Sequence, residues 1–179
     1  MAAPNAHLLR TLAAVSPGSR VLDLGCGDGR HTDPLVRLGF DVWACAEAPN
    51  EVEATRERLT PLLGEGEASL RITPARPEAL GYPDAHFDWV VACAAWHEET
   101  SERAWREGLA EALRVLKPGG WFIVSVPASL LGPTTVPARL TQIAEAAGFA
   151  LSEVPVFEDE AGQRHVRGIY RRVDAATMR

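Results

Sequence analysis

Val21-Leu22-Asp23-Leu24-Gly25-Cys26-Gly27-Asp28-Gly29 is the stretch that decides how this chain is read. An apolar strand runs straight into three glycines at alternate positions, and a helix is expected to follow. Glycine belongs where the backbone must turn sharply and let a ligand approach closely. In an open α/β sheet, ligands sit beyond the carboxyl ends of the strands, and this loop stands at such an end. A helix-start turn without a ligand is the bland alternative. A dinucleotide fingerprint would need a small residue three places after the second glycine. Arg30 stands there. Asp23, two residues before the first glycine, is badly placed beside a pyrophosphate and suits a ligand that carries a cation.

Outward from this loop, apolar strands alternate with amphipathic helices, the pattern of an α/β fold with a mostly parallel sheet. A leading helix is expected over Ala6 to Val15, stopped by the turn Ser16-Pro17-Gly18-Ser19. Strands are expected at 20–24, 41–46, 69–73, 87–93 and 121–126. Helices are expected from the glycine loop to about Leu38, over 51–63, over 101–116 and over 137–147. Gly39 and Gly148 close two of these. In the 101–116 helix, Trp105, Leu109, Leu113 and Leu116 share one face, and Lys117-Pro118-Gly119-Gly120 ends it. Phe149 to Phe157 and His165 to Arg172 read as two final strands paired as a hairpin. There are no internal repeats. The expectation is one domain over residues 1–179, with a leading helix and turn at 1–19 and a core at 20–172.

Length and composition fit that reading. The chain has 179 residues, enough for one domain with a sizeable core. Hydrophobic residues make up 46% and charged residues 23%, an ordinary globular balance. The net charge is −6 and no basic run appears, which argues against a nucleic-acid partner. The stretch His7 to Val15 is short and broken by Arg10 and Thr11, so it does not read as a secretory signal. No apolar run is long enough to span a membrane. Cys26, Cys45 and Cys93 are widely spaced and odd in number, which suits a reducing cytoplasm better than a disulfide frame.

At Asp23-Leu24-Gly25-Cys26-Gly27-Asp28-Gly29 the chain resembles the class I S-adenosylmethionine (SAM)-dependent methyltransferases, whose first motif this stretch matches. The resemblance continues through Phe87-Asp88-Trp89-Val90-Val91, Leu113-Arg114-Val115-Leu116-Lys117-Pro118-Gly119-Gly120 and Ala146-Ala147-Gly148-Phe149. It covers roughly Pro17 to Arg172. It implies a Rossmann-like seven-stranded sheet with helices on both faces and the last strand antiparallel. It implies SAM as cofactor, with Gly25, Cys26 and Gly27 giving room to its methionine part and Asp23 steering its ammonium. A family acid at the end of the second strand holds the ribose, and a carboxylate can accept two such bonds. Spacing puts either Ala46 or Glu47 there. Glu47, with Ala48 beside it, is the acid available. Cys93 and Ala94, at the end of the fourth strand, complete the cofactor-facing set.

The adenine side departs from the family pattern. The two places that usually hold the adenine edge fall on Arg76 and Pro77. Arg has no acceptor and Pro has no backbone N–H. Apolar packing, stacking on the Arg76 guanidinium or a neighbour such as Glu78 would have to serve instead.

The acceptor is expected near Cys93-Ala94-Ala95-Trp96-His97-Glu98-Glu99. His97 is the candidate base, because its ordinary pKa lies near neutrality. The alternative is that His97 and Glu98 cap the next helix or face water. Trp96 serves as a wall or a stacking surface. His31 and His86 are weaker candidates. The three cysteines read chiefly as small apolar filling, and no metal cluster is apparent. The short lid, with a loop from Pro127 to Val136 after the fifth strand, suggests an open cleft, a homodimer closing over the site, or a substrate presented by something larger. The reading is a methyltransferase acting on a small molecule. A SAM-binding module without catalysis is the alternative, and a dinucleotide-dependent reductase is disfavoured by Arg30 and Asp23.

Overall fold

The computed structural model describes residues 4–173 except 94, 98–99, 133–136 and 161, and leaves out the side chain of Glu160. Seven strands form one sheet: β1 (Arg20–Leu24), β2 (Asp41–Ala46), β3 (Ile72–Pro74), β4 (Phe87–Ala92), β5 (Leu116–Pro127), β6 (Phe149–Glu160) and β7 (Gln163–Arg172). Their order is β3-β2-β1-β4-β5-β7-β6. Strands β1 to β5 are parallel, and β7 runs antiparallel to β5 and to β6. The order reverses between β1 and β4, so the carboxyl ends of these two strands flank the crevice where such sheets bind ligands.

Helices cover both faces. Helices α1 (Ala6–Ala13) and α2 (Thr32–Arg37) pack Leu8, Leu12 and Leu35 on Val21, Val91 and Ile123. Helix α3 (Pro49–Leu63) extends that layer, with Val52 and Leu59 against Ala44 and Ala46. On the opposite face α5 (Glu102–Val115) and α6 (Ala138–Ala147) bury Trp105, Leu109, Leu140 and Ile143 against Leu22, Val90, Phe122 and Val124. Alternate residues of one strand thus serve two cores, which is why β1 and β4 read as continuous apolar runs.

Several boundaries differ from those read in the sequence. Ser69 to Arg71 is not strand but the end of α4 (Glu65–Arg71), and β3 begins at Ile72. Gly64, in a left-handed conformation at φ 83°, breaks α3 and starts the new helix. Arg71 Nε then donates to Glu67 one turn back at 2.6 Å, which favours the helix. Helix α3 begins two residues earlier than expected, with proline in its first turn. The two strands of the hairpin are longer than read, by three residues at the end of β6 and two at the start of β7.

The sequence Lys117-Pro118-Gly119-Gly120 is a bulge inside β5, not a break before it. Phe87 pairs with Leu116 while Trp89 pairs with Trp121, so two residues of β4 face a longer arc of β5. Asp88, between them, ties the bulge down. It accepts from Lys117 Nζ at 2.7 Å and from the backbone N–H of Arg20 at 2.9 Å. Burial raises the Asp88 pKa, but these two donors outweigh it and hold the carboxyl below its ordinary value. A Cβ on Gly120 would lie 2.8 Å from the Lys117 carbonyl oxygen and 3.1 Å from that of Asp88.

Gly120→Ala is therefore expected to lower stability by about 1–3 kcal/mol, since backbone cannot yield as a flexible side chain does. Gly66→Ala, in exposed helix with open space around its Cβ position, is expected to raise it by about 0.5–1 kcal/mol. Urea midpoints of the two variants measure both effects, and equal midpoints would contradict the tight fit at Gly120.

Candidate functional site

Gly25, Gly27 and Gly29 all adopt left-handed backbone, at φ 75°, 56° and 76°. Neighbours fix the loop they make. The N–H groups of Gly25 and Cys26 both donate to the Cys45 carbonyl of β2, at 2.8 and 2.9 Å. Thr55 of α3 donates to the Gly27 carbonyl at 2.8 Å. A Cβ on Gly27 would meet nothing within 4 Å. The loop is thus held from behind while Gly27 faces open space.

Beside this loop Asp23 is buried at 1% exposure. Thr32, at the start of α2, donates to its Oδ2 at 2.6 Å, and its Oδ1 has no partner among the described residues. Burial pushes its pKa up to about 6, against smaller opposing effects of the Thr32 bond and the Arg30 charge. A buried carboxylate with an unsatisfied oxygen calls for a cation or a donor.

A cleft of about 190 Å³ opens at the carboxyl ends of β1, β2 and β4. Gly25, Glu47, Glu51, Pro77, Glu78 and His97 are among its lining residues. Three carboxylates therefore face one small space, and among its described lining residues there is no Lys or Arg. Trp96 forms a wall. It is 2% exposed and packs so close to α5 that a Cβ on Gly108 would lie 3.0 Å from its ring. Pro77 closes on the same glycine, 3.2 Å from that Cβ position.

The residues singled out from the sequence are distributed as follows. Gly25, Glu47, Pro77 and His97 meet in the cleft. Gly27 continues the loop beside it, and Ala48 caps the start of α3 next to Glu47. Cys26 and Cys93 are buried at the ends of β1 and β4. Ala94 and Glu98 lie outside the described residues. Arg76, expected against the adenine, is not among the described lining residues of the cleft. Its side chain is exposed, its Nε stands 4.0 Å from the Glu78 carboxylate, and the cleft wall carries Pro77 and Glu78 instead. A turn in which Ala79 N–H donates to the Arg76 carbonyl at 3.0 Å reverses the chain at this point.

His97 is exposed, and its backbone N–H donates to Thr100 Oγ1 at 2.9 Å. His31 is buried, and desolvation lowers its pKa to about 4. His86 stands at the other end of the sheet beside Arg20, with its pKa lowered by burial and by that charge. Of the three candidate histidines, only His97 reaches the cleft.

Cys26, Cys45 and Cys93 belong to three separate packing clusters, although Cys26 and Cys45 adjoin through the Cys26 N–H bond to the Cys45 carbonyl. Burial, and then the Asp23 charge, raises the Cys45 thiol to about 12 and the Cys26 thiol further. They act as small apolar filling. Among the described residues there is no grouping of His, Cys, Asp and Glu that could hold a metal. No helix among them is long and apolar enough to cross a membrane. Glu51, Thr100 and Ala104 also line the cleft and were not legible beforehand. Glu51 lies one turn after Glu47, a spacing visible only once the helix start is known.

The cleft can be tested against SAM on these observations. SAM carries an ammonium and a sulfonium and no phosphate. An unsatisfied buried carboxylate oxygen, a glycine facing open space and a carboxylate-lined wall fit such a ligand. A pyrophosphate would meet three negative charges and no described cation.

The chain resembles known proteins in the same sense. It is 34% identical over 121 residues to a ubiquinone/menaquinone biosynthesis C-methyltransferase of Laribacter hongkongensis, covering 66% of this chain and 47% of that protein. It is 30% identical over 115 residues to a 2-methyl-6-phytyl-1,4-hydroquinone methyltransferase of a Synechocystis species, covering 64% of this chain and 34% of that protein. The chain thus spans half or less of these curated relatives' length. Its fold matches a SAM-dependent methyltransferase structure from Methanosarcina mazei at a TM-score of 0.75, with 13% identity over 95% of this chain and 99% of the other. A family model described as a methyltransferase domain matches residues 21–120. Because that match runs from the first strand through the bulge of the fifth, over more than half of the sequence, the chain belongs to the methyltransferase-domain family, the class I SAM-dependent methyltransferases.

Proposed function

We propose that this chain binds SAM in the cleft beside the glycine loop and transfers its methyl group to a small molecule. The observation that carries this reading is electrostatic: Glu47, Glu51 and Glu78 line the cleft, no Lys or Arg is among its described lining residues, the Arg76 guanidinium approaches only Glu78 from outside at 4.0 Å, and Asp23 lies buried beside it with one oxygen unsatisfied among the described residues. That arrangement attracts a cationic ligand and repels a dinucleotide. The names of the relatives point to quinone and hydroquinone compounds, and the net charge of −6 disfavours a nucleic acid. The placement of all seven strands in one sheet supports a single domain, and three buried free thiols suit a reducing compartment.

SAM supplies a methyl group on a sulfonium. When bound, it would give that methyl to the acceptor's electron pair, and the electrons of the broken carbon–sulfur bond would stay on sulfur, leaving a neutral thioether. The chain's own residues bind and align. Gly25 and Gly27 give the methionine part room, and Asp23 balances its ammonium. Glu47 accepts from the ribose hydroxyls. Glu78 takes the adenine amino group in place of the residue at 76, and Pro77 packs on the ring. Alignment carries much of the rate in such a displacement. Where the acceptor must lose a proton, His97 is placed to take it.

Calorimetric titration should show micromolar binding of SAM and of S-adenosylhomocysteine. Gly27→Val should abolish both while the protein still melts cooperatively, because its side chain would project into ligand space. Normal binding by that variant would place the ligand elsewhere. Glu47→Ala and Glu78→Ala should each weaken SAM by about 1–3 kcal/mol, the cost of losing bonds to a charged acceptor. Arg76→Ala should leave the affinity unchanged within about twofold, since that side chain lies outside the wall. A large effect at Arg76 with none at Glu78 would reverse the assignment.

Asp23 gives a pH dependence of stability. Its folded pKa of about 6 lies above its ordinary 3.8, so its contribution is fully present below about pH 3.8 and is lost as pH rises through about 6. Asp23→Asn should therefore stabilise the ligand-free protein by up to about 3 kcal/mol at pH 8, falling to about half of that at pH 5. The same variant should bind SAM more weakly. Melting temperatures across this range check the sign, and a gain that does not vary with pH would rule out titration of Asp23.

A further inference from the structure

A second cavity, of about 290 Å³, opens between the start of α5, the 3-10 turn Ala128–Leu131 that follows β5, and the first half of α6. Thr100 lines both this cavity and the cofactor cleft. Its hydroxyl is fixed by the bond from His97 N–H at 2.9 Å, so the two spaces meet at a defined turn beside the candidate base. The volume is close to the lower limit for small-ligand sites.

The lining is apolar with a distinct polar bias. Leu130, Leu131 and Ile143 supply the apolar surface. Glu102 is engaged by Arg106, whose Nε and a terminal nitrogen donate to it at 3.0 and 2.8 Å. The remaining strong groups are donors. Trp105 is 2% exposed, and its indole N–H has no hydrogen-bond partner among the described residues. A buried donor left without an acceptor is costly, and native proteins seldom keep one without reason. Arg139 is the only basic residue among the described lining residues. Its one described side-chain hydrogen bond is to the neutral amide of Gln142, at 3.2 Å. Arg139 is exposed, and no carboxylate among the described residues pairs with its guanidinium.

We propose that this cavity seats the methyl acceptor, and that the acceptor is a small, flat, mainly apolar molecule bearing an anionic oxygen, held by the Arg139 guanidinium and the Trp105 indole N–H. The inference rests on the methyl-transfer reading, because a transfer needs a second ligand adjoining the first and the two cavities share Thr100. The apolar side chains pack on the ring. Arg139 offers a planar fork that matches a carboxylate, and the indole donates a single bond to the same group. With its anionic group held there, the nucleophilic atom of the acceptor faces the Thr100 turn and the cofactor cleft.

Titration of wild type with 4-hydroxybenzoate and with neutral 4-hydroxybenzyl alcohol, each with and without saturating S-adenosylhomocysteine, tests the assignment. The carboxylate should bind at least about tenfold tighter than the alcohol. Arg139→Gln should erase that preference, and Arg139→Lys should keep part of it. Trp105→Phe should weaken the carboxylate several-fold. S-adenosylhomocysteine affinity, measured separately, should stay within about twofold of wild type in the Arg139 variants, which shows that the fold and cofactor cleft are intact. Equal binding of the two compounds, carboxylate binding unchanged in Arg139→Gln, or no carboxylate binding in a protein that binds S-adenosylhomocysteine would each overturn the anionic acceptor site. If the carboxylate is held through Arg139 but S-adenosylhomocysteine is not bound at all, the methyl-transfer reading falls instead, and the acceptor role with it.

Discussion

The Cys45 carbonyl accepts two N–H groups from the end of β1, those of Gly25 and Cys26. That pair of bonds sets the glycine loop in place. A chain leaving a parallel strand would normally continue upward and over the neighbouring strand. Here it is pulled sideways onto β2, and only left-handed backbone at Gly25 and Gly27 allows the path. Thr55 then holds the far side of the loop from α3. The open face of the loop, the direction of α2 and the approach of α3 all follow from this closure. A side chain at Gly29 would press on Thr55 at 3.2 Å, so the third glycine serves packing while the first two serve the space beside the loop.

Charge is arranged differently at the two ends of the sheet. At the amino ends of the strands, opposite charges are paired. Arg20 and Arg71 both reach Asp41, and Lys117 reaches Asp88. These pairs are half-exposed and contribute modestly each, but they tie β1, β2, β4 and the β5 bulge together. At the carboxyl ends Glu47 and Glu51 have no ion pair among the described residues, Arg76 approaches Glu78 only to 4.0 Å, and Asp23 is buried with its pKa raised. Stability is given up at that end. An uncompensated carboxylate cluster is tolerated where a ligand restores the balance, and the contrast within one sheet separates the binding end from the structural end.

Much of the fold was legible because the strands next to the switch point are buried on both faces. Arg20–Leu24, Asp41–Ala46 and Phe87–Ala92 are continuous apolar runs bounded by turn residues, and their limits agree with the reading to within a residue. The third strand was misplaced because Ser69-Leu70-Arg71 looks half-apolar in either conformation. The choice was made by Gly64 and by the Glu67–Arg71 contact, neither of which shows in strand periodicity. Lys117-Pro118-Gly119-Gly120 carries every mark of a loop, and only its pairing with β4 makes it a bulge. In the site, the glycine loop was visible from its spacing, while spacing left Ala46 and Glu47 both open and the family resemblance pointed to the acid; both line the cleft. The second cavity was not, because its walls come from three segments far apart in sequence.

At residues 76 to 78 the chain departs from the family pattern, and the local turn decides which of these side chains reach the cleft. Read by alignment alone, arginine and proline at these places remove both expected adenine contacts. The turn closed by Ala79 N–H sends Arg76 to solvent, buries Pro77 against Gly108 and Trp96, and leaves Glu78 on the cleft wall. A carboxylate thus lines the cleft two residues after Arg76. The proline also acquires a role that its missing N–H does not harm, because a buried ring beside Trp96 narrows the cleft without needing a hydrogen bond. Gly108 makes this possible. A side chain there would crowd both Trp96 at 3.0 Å and Pro77 at 3.2 Å, so the wall and the glycine of α5 are fitted to one another.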